Sequence, residues 1–213
     1  MKLNLKRLSA WFATALVAVV GGCATPAAVD YDKVALGMIK SSFRDQGQAK
    51  VDRLEQDEVQ RICSEPAPSA DDRKRIEAQA LATIKPPSDG RYLGDWKEGE
   101  KLAQNGRGMT WSDPAATPNG GNCYNCHQMS KAEISFGTLG PTLHNYGKLR
   151  GVKNAADPSS ATIVQYTWGK IYNAKAYSAC TEMPRFGYAH VLTERQMQDL
   201  MALLLDPNSP VNQ

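Results

Sequence analysis

The chain is poor in the residues that build metal clusters: among 213 residues it has 3 histidines and 5 cysteines. It lacks a net charge once its first segment is set aside. Residues 1–22 contain no acid, and removing Lys2, Lys6 and Arg7 from the 25 basic residues leaves 22 against 22 acidic ones (25 − 3 = 22). Such a balance excludes a nucleic-acid binder, which needs a basic face to neutralise phosphates. Beyond the N-terminus no apolar run is long enough to span a bilayer. No internal repeat and no convincing strand ladder is seen, which points away from a β fold. What remains is an apolar fraction of 42% with 22% charged residues, enough for a packed core.

The N-terminus reads as an export signal. Lys2, Lys6 and Arg7 precede the apolar stretch from Leu8 to Val20, about the length of a signal-peptide core. The run ends in Val20-Gly21-Gly22-Cys23, which looks like a lipoprotein processing site with Cys23 as the lipidated first residue of the mature chain. Ordinary cleavage nearby, after Ala24, is the alternative. Both predict a periplasmic protein whose cysteines meet an oxidising compartment, with lipid anchorage left open.

The expected fold class is mostly α. Residues 1–22 are the signal, 23–90 a tether and helical N-terminal extension, and 91–213 the main domain. Val34, Met38 and Ile39, then Val51, Leu54, Val59 and Ile62, predict one or two short helices over 31–62. Ser69 is placed to cap a helix with Asp71 and Asp72 in its first turn, and Pro86-Pro87 stop it. A further helix is expected from Asp95 to Gln104, where Gly99 would let another helix approach closely. Thr193 and Gln196 predict a capping box ahead of Met197, Leu200, Met201, Leu204 and Leu205, spaced i, i+3, i+4, i+7, i+8.

Cys123-Tyr124-Asn125-Cys126-His127 carries the chemistry. C-x-x-C-H is the spacing of c-type haem attachment: two thiols one turn apart reach the vinyl groups on one edge of a porphyrin, and the adjacent imidazole faces the iron. A thioredoxin-like site would need a βαβ context, and a zinc site a second ligand pair; Cys63, Cys180, His144 and His190 show no paired spacing. One motif predicts one covalent haem c. For the second axial ligand Met183 is the choice, in a loop stiffened by Pro184. Met38 is remote, Met129 too near His127, Met109 precedes the motif, and Met197 and Met201 belong to an apolar stripe. His144 and His190 are rivals. His/Met ligation raises the potential and closes the iron, as suits an electron carrier. The Gly140-Pro141 turn offers a carbonyl, from Pro141, to orient His127, or simply turns the chain. Arg185 could meet a haem propionate, a partner's acid, or only solvent. Lys148, Arg150 and Lys153 form a basic run that faces a partner or water. Cys63 and Cys180 are left as a disulfide pair, contributing roughly 4–5 kcal/mol in the chain-entropy model, or Cys180 is a reactive or ligating thiol.

Beyond these readings, the stretch from Gly94 to the C-terminus resembles the SoxX family, the monohaem cytochrome c subunits of the SoxAX complex of thiosulfate oxidation. The segments that carry the resemblance include Asn119-Gly120-Gly121-Asn122 leading into the haem motif, Gly137-Thr138-Leu139-Gly140-Pro141, Tyr146-Gly147-Lys148-Leu149-Arg150-Gly151, Met183-Pro184-Arg185-Phe186-Gly187 and Leu204-Leu205-Asp206-Pro207. The resemblance implies a class I cytochrome c-like domain, Cys123 and Cys126 as thioether donors, and His127 and Met183 as axial ligands. It implies a SoxA-like partner bearing the reactive cysteine, a SoxYZ-like carrier, and a downstream electron acceptor. The chain would then be a non-catalytic subunit of an L-cysteine S-thiosulfotransferase, taking up electrons as thiosulfate is coupled to the carrier cysteine. Ile62-Cys63-Ser64-Glu65 is similar to a stretch in longer members and favours the Cys63–Cys180 pairing. A free-standing periplasmic monohaem carrier for another oxidoreductase is the alternative.

Overall fold

The computed structural model describes residues 28–213; the signal segment and Cys23 lie outside the described residues. Among the described residues the chain is mostly helical and has no strand, only an isolated bridge between Gln46 and Ala49. Two compact units divide at Phe43/Arg44. The first holds α1 (Tyr31–Ser42), capped by Asp30, whose carboxylate accepts from the Lys33 N–H. None of its residues is buried.

The second unit, Arg44–Gln213, contains six helices among the described residues. They are α2 (Glu58–Cys63), α3 (Ala70–Ala82), α4 (Trp96–Gln104), α5 (Tyr146–Leu149), α6 (Ala161–Tyr172) and α7 (Glu194–Leu205). The predicted caps form. Ser69 accepts from Asp72 N–H, and Thr193 and Gln196 make the reciprocal capping box. A second box, Asp57 with Gln60, starts α2. Each satisfies N–H groups that a helix start leaves without partners.

Packing of α4 on α7 organises the core. Gly94 N–H donates to the Gln198 carbonyl at 2.8 Å and Asp95 N–H to the Asp199 carboxylate at 2.8 Å. Gly99 is where the backbones meet: a β-carbon there would overlap the Asp199 carbonyl and sit 3.0 Å from Leu203 Cβ. The close approach read from Gly99 is therefore present. Leu102, Ala103, Leu200, Met201, Leu203 and Leu205 fill the seam. Fully burying each large apolar side chain stabilises by about 1.5–3 kcal/mol.

α6 is the one long helix that the periodic stretches above leave out. Its Val164, Thr167, Trp168 and Ile171 are buried at i, i+3, i+4 and i+7. The stripe is apolar only in part, because Thr167 takes a core position and bonds Tyr146 Oη at 3.0 Å. The Trp168 indole donates to the Lys85 carbonyl at 2.7 Å, which fixes the stretch after α3 on this helix. At the C-terminus, Asn212 accepts from Gly147 and Lys148 N–H groups at the start of α5. Its amide donates to the Leu204 and Asp206 carbonyls at the end of α7. One side chain thus serves the unpaired groups of two helix ends.

Candidate functional site

The C-x-x-C-H motif winds through a 3₁₀ turn, Cys123–Asn125, entered from Asn122 in the left-handed region at φ 51°. Cys126 and His127 N–H groups both bond the Cys123 carbonyl, at 3.1 and 2.9 Å. One turn therefore groups two sulfurs and an imidazole. Both thiols are free and half-buried. Among the other described cysteines, Cys63 and Cys180 form a disulfide with a Cα–Cα distance of 5.3 Å. Cys123 and Cys126 are not bridged to each other or to these, and Cys180 is not a free or ligating thiol.

Burial pushes the Cys123 thiol up to about 12. A dithiol exchange centre needs a thiolate and so a lowered value. The raised value at Cys123 runs against that chemistry. Tyr124 points inward: its hydroxyl donates to the Glu100 carboxylate at 2.9 Å and accepts from Ser130 N–H at 3.2 Å. Burial, followed by the Glu100 charge, raises the phenol above its ordinary value. This tie between α4 and the motif has no signal in the sequence.

Residues 137–141 fold over the motif. Gly137 N–H donates to the Tyr124 carbonyl and Gly140 N–H to the Cys126 carbonyl, both at 2.8 Å. A β-carbon on Gly137 would strike the Asn125 carbonyl, and one on Gly140 would strike the His127 ring. The next residue supplies the expected contact: His127 Nδ1 lies 2.7 Å from the Pro141 carbonyl oxygen. A carbonyl only accepts, so Nδ1 carries a proton, and in the neutral ring the lone pair is then on Nε2. That is the tautomer a metal ligand requires.

The other predicted residues sort by exposure. Met129, Met197 and Met201 are locked in the core, and Met38 and Met109 are exposed. Met183 alone among the described methionines is half-buried in a loop, against the edge of the main core. Of the rival histidines, His144 has both nitrogens engaged, with the Met129 carbonyl at 3.2 Å and the Asn145 amide at 3.0 Å. His190 sits exposed on a turn at φ 52°. The acid that Arg185 meets is Asp57, at 2.7 Å, and its guanidinium lies over the Tyr188 ring. Arg150, itself exposed, folds back from the basic run and stacks 3.7 Å over the Tyr146 ring. Lys148 and Lys153 remain exposed.

The donor set fits haem c better than a bare ion. No group of three or more His, Cys, Asp or Glu that could hold a metal occurs among the described residues. An ion held here by His127 needs further ligands, which a porphyrin brings with it. In the stretch that follows the motif, Ile134 and Leu139 are 89% and 74% exposed. Two thiols in one turn, an oriented imidazole and uncovered apolar side chains are the features that a covalently held apolar ring uses.

No family model matches the sequence. A curated relative does: over 162 residues the chain is 36% identical to an uncharacterized lipoprotein of Aquifex aeolicus (strain VF5), covering 74% of this chain and 73% of the relative. The chain belongs to the same family as that Aquifex aeolicus lipoprotein.

Proposed function

We propose that this protein is an exported monohaem cytochrome c of SoxX type, an electron-transfer subunit with no activity alone. The single observation that carries the reading is the bond from His127 Nδ1 to the Pro141 carbonyl, one residue after two free thiols. It leaves Nε2 as the available donor atom at the position where C-x-x-C-H chemistry needs it. Haem c, when bound, supplies a one-electron couple. Cys123 and Cys126 would hold it through thioethers, and His127 and Met183 would ligate its iron, an arrangement that suits electron transfer and not substrate binding at the metal. On this reading the bond-making chemistry is assigned to a partner.

The partner we infer is a SoxA-like cytochrome carrying a reactive cysteine, acting on a SoxYZ-like carrier. On this reading the chain accepts the electrons released when thiosulfate is coupled to the carrier cysteine and passes them to a downstream acceptor. The apolar stripe of α1 supports a second subunit. Tyr31, Val34, Met38 and Ile39 recur at i, i+3, i+7 and i+8, and all are exposed. The relative's name supports lipidation at Cys23, hence a periplasmic, lipid-anchored chain; no described helix is long and apolar enough to cross a membrane.

The mass of the mature protein tests the reading. Purified from a host with c-type maturation, it should carry one haem that survives denaturation and a lipid on Cys23. Cys123→Ala with Cys126→Ala should lose the haem only. Co-purification with a second cytochrome should fall at least tenfold in V34E/M38E, the loss expected when charges enter an apolar contact. A haem-free mature chain ends the proposal; a haem-loaded chain that binds no second cytochrome leaves a free-standing carrier.

A further inference from the structure

The loop that carries Met183 has little backbone support on its N–H side. Among the described residues, no N–H from Glu182 to Phe186 donates to a backbone carbonyl, and Met183 N–H bonds only the Thr181 hydroxyl, at 3.2 Å. Regular pairing resumes at Gly187 and Tyr188, both of which donate to the Tyr172 carbonyl. The Arg185 and Phe186 carbonyls do accept, from Ala189 and from Val191 and Leu192, but a stretch whose N–H groups are unpaired is expected to sit at the low-stability end of a fold. Something else must fix it if its thioether is to occupy one place.

That support comes from residues 57–77. Three residues before Met183, Cys180 is crosslinked to Cys63 at the end of α2. Ala179, fully buried with Ile62 and Ile76, donates its N–H to the Glu77 carboxylate of α3 at 3.1 Å. Two residues after Met183, Arg185 is tied to Asp57, the N-cap of α2, at 2.7 Å. Lys175 closes the near side, its ammonium donating to the Ala179 and Thr181 carbonyls at 3.2 and 3.5 Å. The methionine thus lies between a covalent anchor and an ionic one, and both anchors belong to a single short helix.

We propose that α2 is a positioning brace for Met183: Cys63 and Asp57 hold the two sides of its loop and so set how steadily the thioether is presented. The inference rests on the reading of Met183 as an iron ligand. It gives the N-terminal extension a task within the chain that simple tethering does not. Asp57, Cys63, Cys180 and Arg185 are positioning residues, acting through the loop and not on the iron.

The test uses the haem-loaded full chain, with amide hydrogen exchange and the weak far-red thioether–iron band of the ferric spectrum as separate readouts. In Asp57→Asn, amides 181–187 should exchange about fivefold faster, and in Cys63→Ser with Cys180→Ser about a hundredfold faster, while α7 amides keep their protection. The fraction of protein lacking the band should rise in the same order. If the double variant does not fold, Asp57→Asn decides. Unchanged exchange in 181–187, or equal acceleration in α7, overturns the brace. So does faster exchange with an undiminished band, which would leave the ligand assignment standing. A wild-type spectrum without the band, together with local acceleration in the variants, removes the ligand assignment and keeps a structural brace.

Discussion

The main core and the small cluster under α2 solve the same problem with different means. Among the described residues, the main core gathers 18 buried apolar residues around α4, α6 and α7 and contains no crosslink. The small cluster has three, Ile62, Ile76 and Ala179, and beside them the disulfide and the Asp57–Arg185 pair. Three side chains, one of them alanine, bury too little area to order some thirty residues, since ordering costs about 1–2 kcal/mol of backbone entropy per residue. The difference teaches where covalent help is needed: at the edge, where apolar area runs out, and not in the centre.

If that division is right, the largest loss comes from the centre. Leu203 is fully buried between α4 and α7. Leu203→Ala should cost about 3–5 kcal/mol of global stability, transfer and cavity terms together. Denaturant unfolding of the full chain, with the midpoint shifted and the slope kept, is the measurement. A loss below about 1 kcal/mol would mean that the core is not the principal source of stability.

Removing the crosslink comes next and should read differently. The 117-residue separation between Cys63 and Cys180 gives a loop-closure contribution of about 4–5 kcal/mol in the chain-entropy model. Measured values fall short of that ceiling, so Cys63→Ser with Cys180→Ser should lose about 3 kcal/mol. Limited proteolysis should cut first within 57–82, before α7 is accessible. Simultaneous cleavage of both regions would erase the distinction between edge and centre.

A third substitution tests the seam by overfilling it. Alanine at position 99 gains about 1 kcal/mol of helix propensity over glycine. Its methyl group would press on the Asp199 carbonyl and on Leu203, and separating the helices costs about 3 kcal/mol. Steric cost wins, and Gly99→Ala should destabilise by about 2 kcal/mol in the same unfolding experiment. A stabilised variant would show that α4 and α7 can move apart freely.

Legibility in the sequence follows the same division. The central elements were readable because one local pattern suffices for each: the Thr193–Gln196 box with the stripe of α7, Ser69 ahead of α3, and Gly99 facing a helix. The turn carbonyl of Pro141 was readable because a histidine beside two cysteines needs an orienting acceptor and Gly-Pro offers one nearby. α6 carries a readable period, but Thr167 and two tyrosines blur its stripe. The partners of Arg185 and Tyr124 were not readable. Asp57 is 128 residues from Arg185, Glu100 is 24 from Tyr124, and no local rule links residues that only tertiary packing brings together.

Acid gives the smallest effect and the finest test of the edge. Burial alone would raise the Asp57 carboxyl, but the Gln60 N–H and the Arg185 guanidinium outweigh it and hold the group below the usual carboxylate value. A carboxylate lowered on folding stabilises the fold above its unfolded value, near pH 4, and that contribution is lost as pH falls through the folded value. Lys175, pushed down by burial and then by Arg185, stays charged throughout this acid range and adds nothing to the window. Asp57 is 42% exposed in the pair, so solvent screening limits the effect to less than about 1 kcal/mol. Below about pH 4, amides 181–187 should therefore lose protection before those of α7, and Asp57→Asn should abolish that early step while leaving the later one in place. If the early step persists in the variant, another carboxylate holds the edge, and Glu77, bonded to Ala179, is the next to substitute.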